Sequence, residues 1–87
     1  MIKWLDNLRD VQAKARVLVR IERLASGNAG DVKPVGEGLS ELRIDYGPGY
    51  RVYFTKRGSE LIILLAGGDK SSQAADIKVA IRLASNL

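Results

Sequence analysis

The stretch ELRIDYGPGYRVYF, residues 41–54, alternates with a period of two on both sides of a Gly-Pro-Gly turn. Leu42, Ile44 and Tyr46 fall on one side of an extended chain, and Glu41, Arg43 and Asp45 on the other. On the return, Val52 and Phe54 share the apolar side, while Arg51, Tyr53 and Thr55 share the opposite one. This pattern predicts a half-buried antiparallel hairpin and is incompatible with a helix. It also sets fixed positive charge in the middle of the strands. If Tyr46 pairs with Tyr50 across the turn, Asp45 faces Arg51 and Arg43 faces Tyr53. The two arginines are then diagonal neighbours on one face. Two converging guanidiniums suit a phosphate, because each can donate in a bidentate way. Asp45 and Glu41 offer the competing explanation, in which both arginines form ordinary cross-strand ion pairs.

Upstream the period is helical. Trp4, Leu5, Leu8, Val11, Ala15, Leu18, Ile21, Leu24 and Ala25 form one apolar stripe. Asp10 can cap a new start, which predicts a short helix over 3–9 and a longer one over 11–25, stopped at Gly27. Residues 28–38, with Pro34, Gly36 and Gly38, read as a loop. Downstream, KRGS at 56–59 predicts a second turn, and LIILLA at 61–66, apolar on both faces, a buried strand. The last helix spans 72–86, with Ser71 or Ser72 as its cap and a stripe of Ile77, Ala80, Ile81, Ala84 and Leu87. The expected fold is a single α+β domain over 1–87: two N-terminal helices, a three-stranded antiparallel meander and a C-terminal helix.

Composition narrows the chemistry. The chain of 87 residues has no cysteine and no histidine, so disulfides, thiolate nucleophiles and imidazole bases or ligands are excluded together. Any catalysis must use Arg, Lys, Asp, Glu, Tyr, Ser or Thr. No window approaches the ~20 apolar residues of a membrane span. The start, MIKWLDNLRD, has no apolar core of a signal peptide, so a cytoplasmic location is expected. The net charge of +4 is uneven: residues 1–25 are basic, while 31–60 balance with five acids and five bases. A basic half fits a nucleic-acid or acidic-protein partner, or a merely solvated surface. GGDKSSQ, residues 67–73, looks like a P-loop but lacks its glycine spacing. It delivers Asp69, Lys70, Ser71 and Ser72 to the end of the sheet, beside a helix N-terminus whose amides favour anions.

Taken with GNAGDVKPVGEGLSELR upstream and GSELIILLAGGDKSSQAADI downstream, the hairpin resembles the RelE/ParE toxins of type II toxin–antitoxin systems. The branch it is most similar to is the HigB-like, phage-derived "addiction module killer protein" group, and the likeness runs from KWLDNLRD to the last helix. The resemblance implies a ribosome-dependent mRNA endonuclease that inhibits translation and is neutralised by a cognate antitoxin of helix-turn-helix type, through which it would reach operator DNA. In that chemistry the substrate's own 2′-OH attacks the adjacent phosphate and a 5′-OH leaves. No metal or cofactor is needed, only cations on the phosphorane and groups that move protons. Arg51 matches the arginine of the family's GYR motif, Lys70 the basic residue after the glycine of the last strand, and Arg43 the arginine of the LR before the turn. Asp76 stands where RelE has a tyrosine, and the proton acceptor is open between Asp69 and Asp76. Tyr53, Lys56 and Asp69 are expected to bind substrate, Tyr53 by stacking on a base.

Two departures stand out. Leu39 and Glu41 occupy positions where RelE carries lysines. Such toxins also open with a strand, whereas this chain starts almost at the first helix, which implies an open sheet edge and an area around Trp4, Leu5 and Leu8 for an antitoxin or a second copy to cover. Two other activities fit the same resemblance: a ParE-type toxin that binds DNA gyrase, and a degenerate toxin that serves only in antitoxin binding and operon autoregulation. For the site, the expectation is that Arg43, Arg51 and Lys70 share one basic concavity opposite the helices.

Overall fold

The computed structural model describes residues 2–59 and 61–87. The elements are α1 (Lys3–Asp6), α2 (Val11–Ala25), β1 (Val32–Gly36), β2 (Leu39–Ile44), β3 (Tyr50–Arg57), β4 (Leu61–Asp69), a 3-10 turn (Lys70–Ser72) and α3 (Gln73–Ser85). The strands form one antiparallel sheet in the order β1-β2-β3-β4.

The sheet therefore has four strands among the described residues, and the expected loop over 28–38 is corrected. Val32 pairs with Leu42, Lys33 with Glu41 and Pro34 with Ser40. Proline cannot donate to a ladder, so it is confined to sheet edges, which is where β1 lies. Glu37 and Gly38 connect β1 to β2 with φ of 56° and 76°. Positive φ at both central residues is the signature of a tight hairpin turn, so the glycine marks a hairpin and not an irregular loop.

The register of the central hairpin also differs from the expected one. Arg43 lies directly opposite Arg51, Ile44 opposite Tyr50, and Glu41 opposite Tyr53. Tyr46 leaves the strand because α2 holds it. Its hydroxyl donates to Gln12 Oε1 at 3.2 Å, and the Arg16 guanidinium sits 4.5 Å from its ring centroid. Asp45 leaves with it, so the connection is longer and the arginines are direct cross-strand neighbours.

Helices cover both faces of the sheet. Leu5, Val17 and Leu24 from α1 and α2 pack on Leu42, Ile44, Val52 and Phe54. Ala80 of α3 packs on Leu39, Tyr53 and Leu65 from the other side. The alternation of β2 and β3 thus divides side chains between two cores, and the doubly apolar β4 serves both. Asp10 caps α2 as expected, accepting from the N–H groups of Gln12 and Ala13 at 3.0 and 3.2 Å. The first helix is shorter than expected, and its surroundings differ too. Leu5 is fully buried within the chain itself, and Trp4 and Leu8 pack against the same core.

Two consecutive glycines in β4 admit the helices on either side. A Cβ on Gly67 would stand 2.1 Å from the Trp4 ring of α1, and one on Gly68 would meet the Asp76 carboxylate of α3. Only a bare backbone lets both helices lie this close.

Candidate anion-binding site

Beyond the reach of α3, the face that carries Glu41, Arg43, Arg51 and Tyr53 opens into a shallow cavity of about 370 Å³. Arg43, Arg51 and Lys70 line it with Asp31, Asp45 and the 47–49 turn. The sheet brings the two arginines together through direct pairing of β2 with β3. Lys70 arrives by a different route, as the first residue of the 3-10 turn after β4. Gly49 lies between them: a Cβ there would be 3.6 Å from the Lys70 Cβ and 3.9 Å from Arg51 Nη1. The face is shared with α3, so the expectation of a site opposite all the helices is corrected; the cavity lies opposite α1 and α2.

The three cations are not equivalent. Arg43 donates to Asp31 Oδ1 from Nε at 3.1 Å and from Nη2 at 2.8 Å, in an exposed pair. That hydrogen bond holds the Asp31 carboxyl below its ordinary pKa. Lys70 is exposed. Arg51 is mostly covered, its side chain 14% exposed, and its Nε lies 3.4 Å from Glu41 Oε1 without a hydrogen-bond partner.

Glu41, which the sequence offered as an ion-pair partner for the arginines, lies beside Arg51. It is 1% exposed, and its Oε2 accepts from Gln73 Nε2 at 2.6 Å. A carboxylate this deeply covered is tolerated only with charged or donating partners, and here Arg51 and the first residue of α3 flank it. The signal was an acid on the arginine face of the strand, and the register sets it directly opposite Tyr53.

Tyr53 lies beneath α3 and is fully buried, so its ring has no free face for a base and the expected stacking is corrected. Its hydroxyl has no hydrogen-bond partner. Burial first, and then the Glu41 carboxylate, push its phenol well above the ordinary value. Lys56 has the parity of Val52 and Phe54 and lines a separate cavity with Leu24, Ala29 and Gly38 on the α2 side. It is not brought to the arginines.

The two candidate proton acceptors are both engaged by serines of the turn after β4. Asp69 Oδ1 accepts from Ser71 N at 2.8 Å and Ser71 Oγ at 2.5 Å, while Ser72 Oγ faces the Asp69 amide at 3.3 Å. Asp69 caps the 3-10 turn, while Ser72 stands at the N-cap of α3, as expected, without a side-chain capping hydrogen bond. The Ser71 hydroxyl and amide hold the Asp69 carboxyl below the ordinary range. Asp76 accepts from Ser72 Oγ at 2.5 Å and lies against Gly68, outside the basic cavity. Among the described residues no cluster of three acidic, histidine or cysteine side chains could hold a metal ion. Among the same residues no helix is long and apolar enough to cross a membrane.

Fold and cavity together describe a small α+β domain whose central hairpin carries a cavity lined by three cations and two carboxylates. Residues 3–87 match the family model described as phage-derived protein Gp49-like (DUF891), and the chain belongs to that family. It is also similar to a Haemophilus influenzae protein described as uncharacterized. The two are 54% identical over 84 residues, which cover 97% of this chain and 85% of the relative. No solved structure matches.

Proposed function

We propose that this Gp49-like protein is the toxin of a type II toxin–antitoxin pair, a HigB-like member of the RelE/ParE superfamily that cleaves mRNA on the ribosome. The reading places it in the cytoplasm, inhibiting translation until a cognate helix-turn-helix antitoxin binds it. The observation that carries it is the convergence of Arg43, Arg51 and Lys70 on one open cavity. Cleavage by an internal 2′-OH makes a bond from that oxygen to phosphorus, breaks the bond to the 5′-oxygen and loads negative charge on the phosphorane. The nucleophile belongs to the substrate, so the protein has to orient the strand and stabilise charge. Arg51 serves that purpose best, since it lines the cavity beside Gly49 while its Nε lies against the Glu41 carboxylate. Glu41 acts on Arg51 as a positioning residue, and Gln73 ties the pair to α3. Lys70 supplies a second cation, and Arg43 a third when Asp31 releases it.

Arg51 cannot accept a proton, because a guanidinium keeps its charge throughout the accessible pH range. Its removal deletes charge stabilisation alone. Arg51→Ala should lower cleavage by about 10²–10³-fold, the usual cost of one such donor, while the protein stays folded and still binds its antitoxin. Arg51→Lys should recover part of the activity, since it keeps the charge without the bidentate geometry. Growth arrest and transcript mapping after induction provide the test, with circular dichroism as the folding control. Cleavage near the parent rate in folded Arg51→Ala protein overturns the reading. DNA-damage signalling with intact transcripts assigns gyrase binding instead, and harmless expression a degenerate toxin.

A further inference from the structure

α2 turns a second apolar stripe to solvent. Val17 and Leu24 are buried against the sheet, while Val11, Ala15 and Val19 follow one another at four-residue spacing on the opposite side. Val11 is 79% exposed and Val19 45%. Arg16, Arg20 and Arg23 form a row between this stripe and the sheet. With Ala15, Val19, Ile44 and Asp45 they line a groove of about 600 Å³ between α2 and the end of β2. The three cations differ in what holds them. Arg20 donates to the carbonyls of Ala29, Asp31 and Arg43, which fixes its charge along the groove. Arg16 lies over the Tyr46 ring. Arg23 is exposed, and among the described residues neither it nor Arg16 forms a salt bridge. Two carboxylates stand nearby, Asp45 at the β2 end and Glu22 across the apolar stripe from the arginines.

We propose that this groove docks an acidic amphipathic helix of a partner protein. The cations at 16, 20 and 23 span about 10 Å along α2. An antiparallel helix with acids at i, i+3 and i+7 presents carboxylates at the same intervals, and a guanidinium can grip each in a bidentate way. Aliphatic side chains on the adjoining face of that helix then rest on Ala15 and Val19, the anchor pattern of a helix held in a groove. Charge complementarity selects this occupant over two others. α2 carries Lys14, Arg16, Arg20 and Arg23 against Glu22 alone, so docking it on α2 of a second copy sets like charges together. An RNA strand satisfies the arginines but leaves the apolar stripe in water. It also finds no aromatic ring among the residues that line the groove, so its bases have nothing to stack on. The groove lies on the α2 side of the sheet and the basic cavity on the other, so the proposal is independent of the nuclease reading.

Fluorescence anisotropy provides the test, with a labelled, alanine-based helical peptide of about 15 residues that carries three glutamates and two leucines at these spacings. The parent chain should bind it saturably, and should bind a scrambled peptide of the same composition about tenfold more weakly. Arg23→Glu should weaken binding about tenfold, because it replaces an attraction with a repulsion at an exposed position. Val19→Ser should weaken it too, which attraction between charges alone does not predict. Both side chains are exposed, and circular dichroism checks that the variants fold. Absence of binding, equal binding of the scrambled peptide, or unchanged binding in either variant overturns the proposal. A short single-stranded RNA that binds more tightly than the peptide, and is lost in Arg23→Glu, assigns the groove to nucleic acid and equally overturns it. So does a parent chain whose mass in sedimentation equilibrium is halved by Arg23→Glu, because the occupant is then a second copy.

Discussion

Tyr53 and Glu41 show how a strand can turn a surface face into an interior one. By alternation alone, residues 41, 43, 51 and 53 form one polar row, and any of them could meet solvent. α3 decides otherwise, covering Glu41 and Tyr53 and leaving Arg43 half-exposed. The row thus changes from core to site along its length, a division that depends on where a distant helix docks. Tyr53 offers a sharp check. Its hydroxyl is buried without a partner, so Tyr53→Phe deletes an unsatisfied group and should leave stability unchanged or raise it by about 1 kcal/mol, measured by urea unfolding at neutral pH. The pH dependence follows from the same burial. The native phenol's pKa is raised above the unfolded value of ~10, so its contribution to stability is full below that pH and is lost as pH rises beyond it. The parent should therefore lose stability faster than Tyr53→Phe on the alkaline side. A ratio of unfolding constants that stays the same from pH 8 to 11 would count against the buried phenol.

At the scale of elements, the sequence made the central hairpin, both long helices and the apolar last strand legible, because each carries its own periodicity. β1 was not legible. Val32 and Val35 are its only large apolar residues, and Pro34 and Gly36 look like breakers until the strand is known to lie at an edge. Register failed for a related reason: Tyr46 continues the alternation in sequence, yet it is withdrawn from the strand by Gln12 and Arg16 of α2, a contact no local pattern encodes. Of the site, the three cations were legible, whereas the burial of Glu41 and the separation of Lys56 needed the helices in place. Gly67 and Gly68 are where two helices approach one backbone, a role that no local pattern encodes. Gly67→Ala puts a methyl into the Trp4 ring, so α1 must shift, at a cost of about 1–3 kcal/mol. Trp4 is the chain's sole tryptophan, and its emission should change in the folded variant. Unaltered emission and an unaltered urea midpoint would show that α1 does not pack on Gly67.

Over the whole molecule, charge accounts for what the basic N-terminal half does. Arg16 stacks on Tyr46, and Arg20 donates to the carbonyls of Arg43 at 2.7 Å, Ala29 at 3.2 Å and Asp31 at 3.4 Å. Arg16 and Arg20 thus help hold α2 to the sheet, and with the exposed Arg23 they also line a cavity of about 600 Å³ beside the end of β2. At the end of the central hairpin three further cations face Asp31 and Asp45. Asp31 is the local brake, since its side chain engages Arg43 alone while its backbone carbonyl makes the structural contacts to Arg20 and the Arg43 amide. Asp31→Asn should therefore preserve the fold and free Arg43. With one fewer negative charge in the cavity, affinity for a short single-stranded RNA should rise. The slope of log affinity against log salt should steepen by about 0.7, the increment for one further phosphate contact on a single strand. Arg51→Ala should change the slope by a similar amount in the opposite direction. Fluorescence anisotropy across a salt series measures both. Equal affinities and slopes for the parent and Asp31→Asn would mean that Arg43 faces no phosphate, leaving the cavity's binding to Arg51 and Lys70.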